Sequence, residues 1–436
     1  MFDPAVFAAR RAAYMDAIGV GAIAIARSQP ERLRNGDAYH PFRQNSDVLY
    51  LTGFAEPGCT LLLRPAAEHD KVVMFVRPRD PELETWDGRR AGLEGAKDRY
   101  GADVAYDISE LDTKLAELTA NVDEWYVGLG IDDELDALVA RTIARLRRTE
   151  KKGQRPPRAV VDPREALHEL RLIKRPEELA ALRKASAIAG DAHIAAIRHG
   201  RPGVFEYELE AIINYQFRRR GGSGPGYASI VGAGENATIL HYIENRCAIA
   251  DGDLVLVDAG CEYEHYTSDI TRTWPANGTF SPAQKQVYEI VLSTQVAAID
   301  MARIGTTIDD IHQFCVRALT GGMIALGLLA GPIDERIKDL SYRRFYMHGT
   351  SHWLGLDVHD AGAYTRDGKP RPLEAGMVIT IEPGLYIAQT AEGVPDELRG
   401  IGVRIEDDIV ITNGSPEVLT AGCPKSVREL EALAKS

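Results

Sequence analysis

The pattern of apolar and polar positions divides the chain into two halves with different rhythms. Over residues 4–18 apolar side chains recur every three to four positions, the spacing of one helix face. Short apolar runs follow at 21–26, 49–51, 60–63, 72–76 and 125–127, with helical patterns over 111–118 and 133–147 among them. Strands interleaved with helices predict an α/β domain built on a mixed sheet. The stretch Lys151-Lys152-Gly153-Gln154-Arg155-Pro156-Pro157-Arg158 is polar and carries prolines, so it predicts a loop. Leu170-Arg171-Leu172-Ile173-Lys174-Arg175-Pro176 then precedes a long helical pattern, which predicts domains at 1–172 and 173–436.

The second half carries a faint repeat. A helical pattern over 177–199 leads to Arg201-Pro202-Gly203 and a second helix from near Phe205, then strands. About a hundred residues on, a pattern over 282–302 leads to Arg303-Ile304-Gly305 and a helix from Ile308, then strands again. An acid and a branched apolar residue follow each glycine at the same offset, as Glu208-Leu209 and Asp310-Ile311. Two helix–helix–strand halves can close around one shared site, which predicts an α+β domain with an internal pseudo-twofold repeat.

Composition narrows the function classes. At 436 residues the chain exceeds one ordinary core, and 45% hydrophobic with 26% charged residues is globular usage. A net charge of −13 argues against nucleic-acid binding, which needs a basic face. No apolar run reaches the about 18 residues of a membrane span, and Met1-Phe2-Asp3-Pro4 has no basic region before an apolar stretch, so neither a span nor a signal peptide is expected. Five widely spaced cysteines (Cys59, Cys247, Cys261, Cys315, Cys423) form no Cys-x-x-Cys pair and predict reduced thiols in a cytoplasmic protein.

Acids and histidines then gather in the last 200 residues. Leu254-Val255-Leu256-Val257-Asp258 is an apolar strand ending on an acid, and Ser268 to Trp274 alternates as a second strand carrying Asp269. A hairpin turning near Tyr263-Glu264 would set Asp258 directly across from Asp269. Opposed like charges destabilise a sheet, so a cation between them is expected. His348 to His359 holds His348, His352 and His359 among glycines, where a helical His-Glu-x-x-His site cannot form. Glu382 ends a strand before Pro383-Gly384, and alternation puts Arg404 and Glu406 on one face. His241, after a glycine-rich stretch, is a candidate to bind an oxyanion or a peptide carbonyl. The glycine runs at 222–226 and 232–234 lack Gly-Lys-Ser/Thr, so a phosphate loop is set aside. Carboxylates with one imidazole suit Mn²⁺, Co²⁺, Zn²⁺ or Fe²⁺, and the whole points to a two-metal hydrolase.

Together these motifs resemble the aminopeptidase P and prolidase group of pita-bread metallopeptidases. The run His348-Gly349-Thr350-Ser351-His352-Trp353-Leu354-Gly355-Leu356-Asp357-Val358-His359-Asp360 is most similar to the aminopeptidase P branch. Arg43-Gln44-Asn45-Ser46-Asp47 and Tyr50-Leu51-Thr52-Gly53-Phe54 are similar to its bacterial members. The resemblance implies a creatinase-like N-terminal domain and a pita-bread catalytic domain. It implies two divalent ions, Mn²⁺ first with Zn²⁺ or Co²⁺ as alternatives, on Asp258, Asp269, His352, Glu382 and Glu406. It also implies catalytic roles for His241, His348, His359, Glu382 and Arg404, with Tyr386 nearby. Tyr227 and Trp353 are candidate aromatic walls for a proline ring. Trp86 and, less directly, Asp37 would reach a neighbouring subunit's site in a homodimer or homotetramer. The implied activity releases the N-terminal residue from peptides with proline second. A prolidase restricted to dipeptides shares these ligands, and a catalytically dead binding module would have lost them.

Overall fold

The computed structural model describes residues 2–436, which form a first compact unit ending at Arg171 and a second spanning Leu172–Ser436. The first unit opens with α1 (Pro4–Ile18). Asp3 caps it by accepting from the Ala5 N–H, and Pro4 sits where no N–H is needed. Its six-stranded sheet runs β4-β3-β2-β1-β5-β6, with β1 Ala22–Arg27, β2 Thr60–Leu63, β3 Val72–Val76, β4 Val104–Asp107, β5 Glu124–Tyr126 and β6 Ala159–Val161. Antiparallel pairing in β1–β2–β3 and parallel pairing elsewhere make it mixed. Trp125, Phe75 and Leu62 lie at the centre of its core.

One expected strand is a helix. Residues 49–51 lie within α2 (Ser46–Thr52), where Asn45 accepts from the Asp47 and Val48 N–H groups and Gly53, at φ 67°, ends the helix in the left-handed region. An asparagine cap and a glycine stop with seven residues between them outweigh the strand preference of a three-residue apolar run.

In the second unit the repeat has a physical meaning. Helices α3 (Pro176–His199) and α4 (Glu206–Arg219) are answered by α5 (Pro282–Met301) and α6 (Ile308–Ala325). Glu208 accepts from the Phe205 N–H at 2.7 Å and Asp310 from the Thr307 N–H at 2.9 Å, so the repeated acids close the first turn of the second helix in each half. Leu209 and Ile311, next in sequence, are fully buried. The shared offset thus records one helix-start device used twice.

The strands of the two halves meet at the site. In the first, β7 (Ile230–Ala233), β8 (Leu254–Asp258) and β9 (Thr271–Pro275) pair antiparallel. In the second, β10 (Val378–Ile381) pairs with β13 (Asp407–Val410), and β11 (Gly384–Ile387) with β12 (Ile401–Arg404). A single bridge, Thr271 to Glu406, joins them.

The expected register of Asp258 against Asp269 is corrected. Asp258 lies across from Thr271, and Asp269 stands two residues before β9 begins, a diagonal neighbour. Between them the chain makes its own short hairpin, Cys261–Tyr263 with Tyr266–Thr267, turning at Glu264 and His265, both at positive φ. Gly260 permits this detour, because a Cβ there would stand 1.7 Å from the Ser268 carbonyl oxygen.

Candidate metal centre

The ends of these strands surround a cavity of about 480 Å³, lined by Tyr227, His241, Asp258, Asp269, His348, His352, His359, Glu382, Arg404 and Glu406 among others. Asp258 is the last residue of β8, Glu382 follows β10, Arg404 ends β12, and Glu406 precedes β13. These four side chains are therefore aimed by the ends of buried strands. As expected, the segment from His348 to His359 is not helical; it is loop, laid beside β10 by bonds from the Glu382 N–H to the Thr350 carbonyl (2.8 Å) and from the Thr380 N–H to the His352 carbonyl (3.0 Å).

Ligand atoms of Asp269, His352 and Glu406 lie within 4.8 Å of one another. His352 Nδ1 sits 3.0 Å from the Trp353 carbonyl, which can only accept, so Nδ1 carries a proton and Nε2 is the nitrogen turned toward the acids. Nε2 is 3.5 Å from Asp269 and 3.7 Å from Glu382. Asp258 is engaged at both oxygens, accepting from the Tyr227 hydroxyl and from Arg404 Nη2, each at 2.6 Å. Tyr227 also touches Asp269. Thr271 donates to Glu406 at 2.6 Å and accepts from Arg404 Nε at 3.1 Å.

The electrostatics of this cluster are those of charge awaiting a counter-charge. Burial, then Asp269, Glu382 and Asp258, hold the Glu406 carboxyl well above its ordinary range. Burial and Asp258 raise Asp269. Burial, helped by Asp269 and Asp258 against His352 and Arg404, pushes Glu382 to about 7. Burial pulls His352 down, but Asp269 and Glu382 outweigh it and lift the imidazole to about 9. Four carboxylates face one permanent cation, Arg404, in this cavity. An oxygen-rich set with one imidazole and a shortage of positive charge fits hard or borderline divalent ions.

The other candidates divide by position. His348 Nε2 meets the Tyr386 hydroxyl at 2.8 Å while its Nδ1 meets the Gly349 carbonyl at 2.7 Å. Arg404 Nη1 donates to that hydroxyl at 3.1 Å, so the buried Tyr386 links His348 to Arg404 and is not a wall of the cavity. Burial and Arg404 hold His348 at about 3, a neutral imidazole with both nitrogens engaged. His359 lies edge-on to His352, ring centroids 4.3 Å apart, and exposed His241 lines the rim. Trp353 is a correction. It is fully buried, stacks on Tyr364 and packs in a core with Ile379 and Met377, because the bridge to β10 turns its side chain inward. Trp86, exposed on the helix Pro81–Asp87, and Asp37, exposed between the strands Leu33–Asn35 and Ala38–Tyr39, belong to the first unit.

Two supporting residues escaped the sequence reading. Thr271 bridges Glu406 and Arg404, and Asp408 accepts the Asp269 N–H at 3.1 Å and the Ser186 hydroxyl at 3.1 Å. Both follow a named acid by two positions (269 to 271, 406 to 408), so strand parity was the available signal.

Comparison with known proteins agrees with this geometry. The profile of metallopeptidase family M24 matches residues 180–413, and the aminopeptidase P N-terminal domain matches 7–126. The chain belongs to metallopeptidase family M24. It is 46% identical to the Xaa-Pro aminopeptidase of Escherichia coli over 98% of this chain and 97% of that protein. It superposes on the structure of Pseudomonas aeruginosa aminopeptidase PepP with a TM-score of 0.97 at 47% identity, covering 100% of this chain and 98% of that one. A variant E. coli aminopeptidase P solved in complex with substrate matches with a TM-score of 0.95 at 45% identity, covering 100% and 98%. The second unit is thus a pita-bread catalytic domain, preceded by an aminopeptidase P N-terminal domain.

Proposed function

We propose that the chain is a dinuclear-metal Xaa-Pro aminopeptidase, removing the N-terminal residue from peptides with proline in the second position. The observation that carries the metal reading is the charge balance of the cavity, where four carboxylates face one arginine and two divalent cations would supply what is missing. The relatives at 45–47% identity support the aminopeptidase over a dipeptide-only prolidase. The ions would be held by Asp258, Asp269, His352, Glu382 and Glu406, with Mn²⁺ first and Zn²⁺ or Co²⁺ as alternatives. Such ions, when bound, lower the pKa of water and polarise a carbonyl oxygen.

The chain's own residues do the rest. Glu382, at the cavity wall and already inclined to hold a proton, accepts one from the attacking water and passes it to the leaving proline nitrogen. His359 and His241, on the open side, hold the substrate's carbonyl oxygens. Arg404 fixes Asp258 directly and His348 through Tyr386. The proline bond has no N–H and a fixed φ, so recognition by shape is the efficient route, with Tyr227 as the aromatic at hand. Trp86, 85% exposed, is a large apolar side chain suited to a contact with a second copy, which supports a homodimer or homotetramer. Four buried cysteines without a disulfide partner suit a reducing cytoplasm.

The test is hydrolysis of Ala-Pro and Ala-Pro-Ala by chelator-stripped protein with and without added Mn²⁺. Metal-dependent release of alanine chiefly from the tripeptide is expected. Cleavage of the dipeptide alone would make the protein a prolidase.

A further inference from the structure

The loop that carries His348 and His352 has almost no ladder of its own, yet both histidines and Glu382 must hold their places. Thr350 lies midway between the two histidines and is itself buried. Its carbonyl accepts the Glu382 N–H at 2.8 Å, the bond that ties this loop to the start of the Glu382 turn. Its hydroxyl faces away from the cavity and is gripped twice, by the Tyr346 hydroxyl and by His312 Nδ1 at 2.9 Å. His312 comes from α6, which buries Ile311, Cys315 and Leu319. The Tyr346 ring stands edge-on to His348, centroids 5.0 Å apart. None of Thr350, Tyr346 and His312 lines the cavity.

We propose that the Thr350 hydroxyl, clamped between Tyr346 and His312, is the positioning device for His348, His352 and Glu382. A hydroxyl has one proton and two acceptor lone pairs, so Thr350 can accept from the Tyr346 hydroxyl while donating to His312 Nδ1, which satisfies all three groups. Removing it leaves the buried Tyr346 hydroxyl and the partly buried His312 Nδ1 without this partner and frees the backbone that Glu382 hangs from. Thr350, Tyr346 and His312 touch no substrate and are positioning residues. The inference rests on the aminopeptidase reading for its kinetic arm alone.

The experiment compares the whole protein with Thr350→Val, which keeps shape and deletes the hydroxyl, and Thr350→Ser, which restores it. Loaded with Mn²⁺ and given Ala-Pro-Ala, Thr350→Val should lose about tenfold in kcat with KM and metal stoichiometry held within twofold, and Thr350→Ser should recover most of it, since sub-ångström misplacement of reacting groups is felt in kcat. Loaded with Co²⁺, Thr350→Val should shift the visible absorption bands through altered His352 and Glu382 geometry, and Thr350→Ser should return them. Tyr346→Phe, which keeps the ring against His348, should act in the same direction and serves if Thr350→Val folds poorly. Unchanged bands and unchanged kcat in Thr350→Val overturn the proposal, as does a kcat loss that tracks lost metal and is not recovered by serine. Parent protein that binds Co²⁺ but cleaves neither peptide defeats the aminopeptidase reading, and the absorption bands still decide this one.

Discussion

Glu406 and Asp407 are adjacent in sequence, equally buried, and electrostatically opposite. Asp407 accepts from Arg272 Nη2 at 2.7 Å, Lys425 at 2.5 Å, Gln295 at 2.8 Å and Thr420 at 2.6 Å. Burial would raise its pKa, but Arg272 and Lys425 more than reverse that and hold it below the usual carboxylate range. Glu406, facing the other way, has Thr271 as its close donor, acids as its neighbours and a pKa driven well upward. Strand alternation sends the two side chains to opposite sides of the same backbone. On Asp407's side the protein supplies two cations to one acid, whereas on Glu406's side it supplies one, Arg404, to four acids. Asp407, balanced within the chain, is structural; Glu406, left among other acids with too little positive charge, is suited to an ion from outside.

The sharpest way to break this contrast is Glu406→Gln. Metal-dependent cleavage of Ala-Pro-Ala should fall at least about 10³-fold, about 4 kcal/mol of transition-state stabilisation. Yet the metal-free protein should melt about 2–4 °C higher, the shift expected of about 1 kcal/mol in a domain of this size, because a carboxyl that folding buries among acids at a cost is gone. A fall in metal-free melting temperature would mean Glu406 is balanced after all. Asp407→Ala should do the reverse. It strands Arg272 and Lys425, so denaturation should show a loss of about 3–5 kcal/mol whether or not metal is present. Equal stability of this variant and the parent would remove the contrast.

How far the sequence showed this contrast can be judged at the same two residues. Glu406 was legible because alternation in Val403-Arg404-Ile405-Glu406 put an arginine and an acid on one strand face, a pattern with few structural explanations. Asp407 was not, because its partners Arg272, Gln295 and Lys425 lie up to 135 positions away and no local pattern announces a long-range ion pair. The mixed sheet and the repeated helix starts were legible because periodicity and capping are local. The register of Asp258 was missed because the extra hairpin at Glu264-His265 depends on close packing at Gly260, a fact of three dimensions. Trp353 was misread for a related reason, since the residue type suggested a wall but the bridge to Ile379 fixed the direction it faces.

Proton uptake sharpens the comparison without any loss of fold. A carboxyl whose folded pKa exceeds its unfolded value binds more protons when folded, so it stabilises below the unfolded pKa and loses that contribution as pH rises. For Glu382 the window runs from about 4.5 to about 7. Burial holds His193 at about 4 and His348 at about 3, and both pull the other way, so the measurement is a difference. Metal-free parent should lose stability relative to Glu382→Gln as pH rises through this window, by denaturant midpoint. Added Mn²⁺ should abolish that relative loss, since ions replace the protons. A relative gain with pH would show that Glu382 is not held up by its neighbours.

The smallest effect belongs to a balanced acid in the first unit. Asp47 accepts from Arg171 at 2.7 Å and stands 3.3 Å from His168. Burial raises its pKa, but Arg171 and His168 reverse this and bring it to about 2. Here the folded pKa lies below the ordinary carboxyl value, so the stabilisation is present above about 3.8 and disappears as pH falls toward 2, opposite in sign to Glu382. Asp47→Asn should cost the first unit about 2 kcal/mol at pH 7 at most, and the difference from the parent should vanish by pH 2. Asp47 therefore behaves as Asp407 does, with less burial and a smaller penalty. If its variant were instead more stable than the parent at pH 7, the Arg171 and His168 contacts would not balance Asp47, and its likeness to Asp407 would be lost.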